Sequence, residues 1–438
     1  MKTIKNPKKN TWHEILARPT LDTQFLERTV ANILADVRRH GDEALKHCAR
    51  HFDKVEIDDF LVAESEFEEA EKRISPELKA AIQTAKANIE KFHAAQIDES
   101  SKVVETTAGV FCWRKSVPIE KIGLYTPAGS APLFSTVLML AVPAQLAACR
   151  EIVLCSPPDR DGKISDATLY AARVCGATKV FKIGGAQAIG AMAFGTAQVP
   201  KVYKIFGPGN QFVTEAKQQV TKFGVAIDMP AGPSEVAVFA DESSVPAFVA
   251  ADLLSQAEHG ADSQVLLVTT SEKVIAETLT EIEKQLETLP RKTVAAKALE
   301  NSKAILVETV ETAIELLNEY AAEHLILAVE NADEIAEKIV NAGSVFIGNY
   351  SCEAAGDYAS GTNHTLPTNG YAKSYSGVSV ESFVKKITFQ KLTAEGVKNL
   401  GRTVECLAEA EGLQAHKNAI TIRLEQIYGS GRQDKSAI

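Results

Sequence analysis

Apolar positions recur with different rhythms in different parts of the chain. Up to about residue 100 the rhythm is helical. Between Thr29 and Arg39 the apolar residues are spaced by roughly 3.6, and Gly41 follows as a stop. Leu45, Cys48 and Phe52 mark one face of a second helix. Pro76 stands where a first-turn proline opens a third, running through Lys79 to Phe92.

From about residue 120 short apolar runs alternate with helical stretches. The expected strands are Lys121–Tyr125, Glu151–Cys155, Lys179–Ile183 and Val202–Phe206, then Glu235–Phe239, Gln264–Thr269, Ala304–Val307, Leu325–Val329 and Ser344–Ile347. Each is rich in Val, Ile and Leu and leads through small residues into a helix, as in βαβ units with parallel sheets. A break near Asp228–Pro233 separates two such series and so predicts two sheets. Beyond about residue 380 the pattern is read as helices again, ending in a polar tail, Gly429 to Lys435, expected to be disordered.

Composition narrows the classes. A chain of 438 residues exceeds one hydrophobic core, so two or three domains are expected. The net charge of −10 argues against a nucleic-acid surface, which needs clustered Lys and Arg. The one dense basic cluster, Lys2, Lys5, Lys8 and Lys9, reads as a solvated N-terminal tail. The longest apolar run, Val137 to Val142, is too short to span a bilayer and reads as a buried helix. The N-terminus carries no apolar signal segment, and the 7 cysteines form no C-x-x-C pair. A cytoplasmic protein with reduced thiols is expected.

Ligands in open α/β folds bind beyond the carboxyl ends of strands, so the loops there are the first places to search. Three stand out: Tyr125-Thr126-Pro127-Ala128-Gly129-Ser130, Gly184-Gly185-Ala186-Gln187 and Phe206-Gly207-Pro208-Gly209-Asn210. None fits G-x-G-x-x-G. Their glycines serve either tight turns or a nucleotide. His47 and His51 have i, i+4 spacing but no accompanying carboxylate or cysteine constellation, and read as a solvated face. Gln256 and His259 are i, i+3 neighbours at a helix end, either a cation pair or a capped terminus. Glu323-His324 at a strand entrance is either an acid/base pair or charge at an exposed helix end. Glu353 to Asp357 and Gly361 to His364 read as one polar loop, and Glu411 and His416 lie five apart. Mixed nitrogen and oxygen donors suit a borderline divalent ion such as Zn²⁺ with open positions for substrate.

At these same residues the chain resembles the histidinol dehydrogenase family. The matching stretches, in family order over about residues 20 to 425, include Gly123-Leu124-Tyr125 with Gly129-Ser130-Ala131-Pro132, Gly184-Gly185-Ala186-Gln187-Ala188, Gly207-Pro208-Gly209-Asn210, and Asp228-Met229-Pro230-Ala231-Gly232-Pro233-Ser234-Glu235. Ser255-Gln256-Ala257-Glu258-His259, Glu323-His324-Leu325, Gly356-Asp357-Tyr358, Asn363-His364-Thr365-Leu366-Pro367-Thr368 and Glu411-Gly412-Leu413-Gln414-Ala415-His416 complete the set.

The resemblance implies zinc-dependent oxidation of L-histidinol through the aldehyde to L-histidine with two NAD⁺, the final steps of histidine biosynthesis. It makes Gln256, His259, Asp357 and His416 the ligands of one Zn²⁺ per subunit, and Glu323 and His324 the catalytic pair. Ser234, His364 and Glu411, together with His324 and the metal ligands, would contact substrate, while Tyr125, Gln187 and Asn210 would line the NAD site. It implies a homodimer with shared active sites. The expected fold is α/β: two Rossmann-like parallel-sheet domains, a helical N-terminal segment and a helical C-terminal extension. The expected divisions are an arm at 1–20, a metal and substrate domain at 21–110 plus 235–380, an NAD domain at 120–234, and a partner-contacting extension at 381–438. A zinc hydrolase on the same ligands and a non-catalytic α/β binding protein are the rival readings, with neither nucleic acid nor membrane as a partner.

Overall fold

The computed structural model describes residues 1–19, 23–97, 102–128 and 132–430. Gly129, Ser130 and Ala131, and the tail beyond 430, therefore lie outside the described residues. The chain forms two units, Met1–Gln96 with Ile119–Phe383, and Ile97–Pro118 with Val384–Ile438. In chain order the strands are β1 (Lys2–Lys5), β2 (Val104–Thr107), β3 (Val110–Pro118), β4 (Lys121–Tyr125), β5 (Glu151–Ser156), β6 (Lys179–Lys182), β7 (Lys204–Phe206), β8 (Ala226–Ile227), β9 (Glu235–Ala240), β10 (Gln264–Thr269), β11 (Lys303–Leu306), β12 (His324–Ala328), β13 (Ser344–Ile347) and β14 (Val384–Leu392).

The first unit holds two parallel sheets. One runs β6-β5-β4-β7-β8 and the other β1-β11-β10-β9-β12-β13. All nine strands read from the apolar runs are present, within one or two residues at each end. They were legible because helices cover both faces. In β9, Val236, Val238 and Ala240 enter one core cluster while Ala237 and Phe239 enter the other. Successive side chains of a strand point to opposite faces, so both faces must be apolar. Burying each of these larger side chains contributes about 1.5–3 kcal/mol. The apolar run at 137–142 lies in helix Ser135–Leu146, which is buried from Ser135 through Ala144.

Three segments depart from expectation. Lys2–Lys5, expected as a solvated tail, adds as the edge strand β1 in register with β11, Ile4 opposite Ile305. Its lysines stay exposed, which is how an edge strand is kept from recruiting another chain. In the second unit β14, β3 and β2 form an antiparallel sheet, although only helices were expected after residue 380. The last helix, Gln414–Ser430, runs through Gly429, where a disordered tail was expected to begin. In the helical region up to residue 97, Ser75 caps helix Pro76–Ala94 by accepting from the Leu78 N–H, with Pro76 in the first turn as the sequence indicates.

The N-terminal arm is fastened by charge as well as by β pairing. Arg18 donates through Nε and Nη2 to the two carboxylate oxygens of Glu235, at 2.7 and 3.0 Å, and to the Tyr320 carbonyl at 2.6 Å. Its guanidinium lies 3.9 Å from the Tyr320 ring centroid. Glu235 is buried, so loss of its partner strands a carboxylate away from water. We expect Arg18→Met to lower unfolding stability by about 3–5 kcal/mol in urea titrations. A cost below about 1 kcal/mol would place this pair with weak surface pairs instead.

Candidate active site

One cavity lies where the two parallel sheets of the first unit approach each other. Leu133, Ser135, Thr136 and Pro208, which follow β4 and β7, form one wall. Ser234, Gln256, His259, Glu323, His324, Asp357, Tyr358 and His364 form the rest. The carboxyl-end rule holds for the first wall and reverses for the second. Ser234 and Glu323 immediately precede β9 and β12, and His324 is the first residue of β12. Gln256 and His259 reach the same edge because helix Pro246–Ala257 runs back along β9 and ends there. The β9–helix–β10 crossover thus carries its side chains to the amino edge of the six-stranded sheet.

Glu323 and His324 are adjacent in the chain and meet at this edge. Both side chains enter this cavity, with Glu323 Oε2 3.6 Å from His324 Nδ1. The Glu235 backbone explains the convergence. Its N–H donates to Glu323 Oε2 at 3.0 Å, and its carbonyl lies 3.4 Å from His324 Nδ1. Burial raises the Glu323 pKa to about 8, against the pull of His324 and the Glu235 N–H. Burial opposes protonation of His324, but Glu323, Glu353 and Asp357 together override it and raise its pKa to about 10.

Residues 353–358, read from sequence as part of a polar loop, are helical. Glu353 and Asp357 are therefore i, i+4 on one short helix, both buried. Glu353 was missed as a site residue. The spacing of the two acids was the signal, but it became visible only once the segment is known to be helical. Glu353 Oε1 accepts from Gln256 Nε2, and its Oε2 accepts from Ser255 Oγ at 3.3 Å. Gln256 Nε2 also lies 3.2 Å from His324 Nδ1.

Three buried atoms in this cluster lack hydrogen-bond partners: Gln256 Oε1, His324 Nε2 and Asp357 Oδ1. The last two stand 3.4 Å apart without hydrogen-bond geometry. Donor atoms of His259, Glu353 and Asp357 all lie within 4.8 Å of one another. Unpaired buried polar atoms are costly, and those aimed into a common space with carboxylate and imidazole donors fit a divalent cation. His364 is held beside them. Its Nδ1 donates to the Asp357 carbonyl at 2.9 Å, its Nε2 lies 3.2 Å from Thr136 Oγ1, and burial lowers its pKa.

The remaining expected residues lie elsewhere. Tyr125 ends β4, is buried, and its hydroxyl accepts from the Gly185 N–H at 3.0 Å. Gln187 is buried in the first turn of helix Gly185–Phe194. Asn210 is exposed and caps helix Gln211–Val220 by accepting from the Val213 N–H at 3.1 Å. These three stand at the carboxyl ends of β4, β6 and β7 in one sheet. Glu411 and His416 belong to the second unit, exposed around the turn between helix Ala394–Ala410 and helix Gln414–Ser430. His47 and His51 are exposed, with ring centroids 6.2 Å apart.

Comparison with known proteins decides the class. The family description "Histidinol dehydrogenase" matches residues 16–424. The chain belongs to the histidinol dehydrogenase family. It is 60% identical over 427 residues to a histidinol dehydrogenase of Bacteroides fragilis, covering 98% of this chain and 100% of that one. It is 53% identical over 417 residues to that of Mannheimia succiniciproducens, covering 94% and 96%. The crystal structure of the Elizabethkingia anophelis histidinol dehydrogenase superposes with a TM-score of 0.94 at 55% identity, covering 98% of this chain and 99% of that one. The chain is thus an oxidoreductase of the histidinol dehydrogenase family, and the hydrolase and non-catalytic readings fall. No helix of the described residues is long and apolar enough to cross a membrane.

Glu353 gives the site a direct test. Glu353→Ala removes the acceptor that fixes the Gln256 amide and one carboxylate of the candidate cation group, so if this cavity holds a divalent cation its affinity should fall about 10–100-fold. Titration of chelator-treated protein with Zn²⁺ measures it. Unchanged affinity would remove Glu353 from the site.

Proposed function

We propose that this chain is a zinc-dependent, NAD-linked L-histidinol dehydrogenase. It would carry out the closing oxidations of histidine biosynthesis as a cytoplasmic homodimer with shared active sites. The observation that carries the reading is the convergence of Gln256 Oε1, His324 Nε2 and Asp357 Oδ1, all buried and unpaired, on one cavity beside Glu323. All seven cysteines are free, which suits a reducing compartment.

Gln256, His259 and Asp357 would hold the ion, with His416 supplied from the second unit of a neighbouring subunit. The exposure of His416 and Glu411 supports that role. Zn²⁺, when bound, supplies a fixed positive charge among the buried carboxylates and templates the amino and imidazole nitrogens of the substrate. Ser234, His364 and Glu411 would complete the contacts to substrate. Tyr125, Gln187 and Asn210 would line the cofactor site at the carboxyl edge of the five-stranded sheet, where the free N–H groups of a helix start favour a phosphate. NAD⁺, when bound, accepts the hydride of each oxidation.

The proton chemistry follows from which atoms are engaged. His324 Nδ1 is held among Glu235, Gln256 and Glu323, so Nε2 is the nitrogen left to take the hydroxyl proton of the alcohol, once a cation beside Glu353 and Asp357 offsets the carboxylates that hold the imidazole protonated. Glu323 Oε2 is engaged by the Glu235 N–H, which leaves Oε1 to activate the water that adds to the aldehyde. Burial pushes its pKa up to about 8, so it accepts the water proton only in its ionised form, which a cation among these carboxylates would favour. After His324 has passed the first proton to solvent, the resulting hydrate gives up a hydroxyl proton to it as the hydrate is oxidised to the acid.

Purified protein given L-histidinol and NAD⁺ should form NADH in a ratio of two per substrate, a yield lost on chelation and restored by Zn²⁺. No NADH from metal-loaded protein would overturn the reading. Glu323→Gln should separate the two halves. Aldehyde oxidation should fall about 100-fold or more, the usual weight of a general base, while alcohol oxidation falls much less. Full activity of Glu323→Gln on the aldehyde would move water activation to another group.

A further inference from the structure

Among the described residues a fully buried ion pair lies outside the catalytic cluster. Lys217, on helix Gln211–Val220, and Asp228, after β8, meet at 2.5 Å with side chains 2% and 1% exposed. Both grip the same residue. Asp228 Oδ2 accepts the Gly207 N–H at 2.8 Å, and Lys217 Nζ donates to the Gly207 carbonyl at 2.8 Å. Asp228 Oδ1 also accepts from the Met229 N–H at 2.7 Å. Gly207 itself has φ +130°, and a Cβ there would stand 2.1 Å from the Tyr125 carbonyl oxygen.

A buried pair of this kind brings little net stability, because desolvation offsets most of the attraction. What it does here is fix the peptide groups on both sides of one glycine. The next residue, Pro208, lines the cavity that holds His324 and Asp357, and Asn210 caps the helix that carries Lys217. Asp228 opens the segment that ends at Ser234 on the opposite wall of that cavity. The segment is tied to the same helix again, by Thr214 Oγ1 donating to the Ala231 carbonyl.

We propose that Lys217 and Asp228 are positioning residues for the cofactor loop. They hold Gly207-Pro208-Gly209-Asn210 in its binding geometry before NAD⁺ arrives, so that cofactor binding spends little on ordering the loop. The inference rests on the assignment of this loop to the NAD site.

Removing one partner strands a buried charge, so K217M and D228N singly should lose thermal stability. The informative protein is K217M/D228N, which has no unpaired charge but leaves the Gly207 carbonyl without its donor. In that variant we expect a melting temperature close to native and an L-histidinol dissociation constant within about twofold of native, with the NAD⁺ dissociation constant raised about tenfold. NAD⁺ affinity equal to native in the folded double variant would overturn the proposal. Amide hydrogen exchange on the native protein tests it without mutation. The Gly207 N–H should be protected without NAD⁺ and gain little on its addition, whereas fast exchange that slows only with NAD⁺ would refute a preformed loop. If native protein binds NAD⁺ but the amides of Gly209, Asn210 and the first turn of helix Gln211–Val220 gain no protection while other segments do, the loop assignment fails along with the proposal.

Discussion

Three carboxyl groups surround one imidazole in a place that water scarcely reaches. Glu323, Glu353 and Asp357 all lie near His324, and all four residues are buried. Like charges at this distance cannot all remain ionised in a low-dielectric pocket unless a positive charge joins them. Two outcomes are open to the cluster. Protons can be retained, and Glu323 and Glu353 are both pushed up to about 8 by burial. Alternatively a cation can enter, which also explains the unpaired Gln256 Oε1. The rest of the site can be understood as the scaffolding that keeps this crowding from relaxing.

Helix polarity divides the chemistry between the two sheets of the first unit. Helix Pro246–Ala257 ends at the cavity, so Gln256 and His259 sit at its negative pole, where a cation is favoured. Around the five-stranded sheet the polarity is opposite. Helices Gly185–Phe194 and Gln211–Val220 begin just after β6 and β7, and their positive poles face the loops read as cofactor-binding. The two sheets thus offer opposite helix poles, negative at the cavity that Gln256 and His259 line and positive at the loops after β6 and β7. The carboxyl-end rule favours anions at the loops after β6 and β7 because helices start there. It fails for Gln256 and His259 because helices finish at the amino edge.

What could be read from sequence followed the same physics. The parallel strands were legible almost to the residue because burial on both faces leaves near-continuous Val, Ile and Leu. β2, β3 and β14 were not, because they are largely exposed and carry Lys115, Lys385, Lys386 and Lys391 among their apolar positions. Pairings such as Trp113 against Phe389, stacked at 5.4 Å, join residues far apart in sequence that no local pattern links. Seven of the residues singled out from sequence, Ser234, Gln256, His259, Glu323, His324, Asp357 and His364, line one cavity. Most were recognised through family motifs, since the residue patterns alone left each with a bland alternative. Glu353 escaped because its role depends on a six-residue helix that small and polar residues disguise as a loop.

Glu235 shows how fold and chemistry come to share residues. As the first residue of β9 it points its side chain toward the N-terminal arm, where Arg18 and Tyr320 receive it. Its backbone turns the other way, with the N–H on Glu323 and the carbonyl beside His324. A strand residue has no choice in this matter, since fixing its side chain fixes the orientation of its peptide groups. The Arg18 pair therefore bears on more than the attachment of the arm. By holding the Glu235 carboxylate it also sets the angle from which the Glu235 N–H meets Glu323. The N-terminal arm thus reaches Glu323 and His324 through one residue of β9.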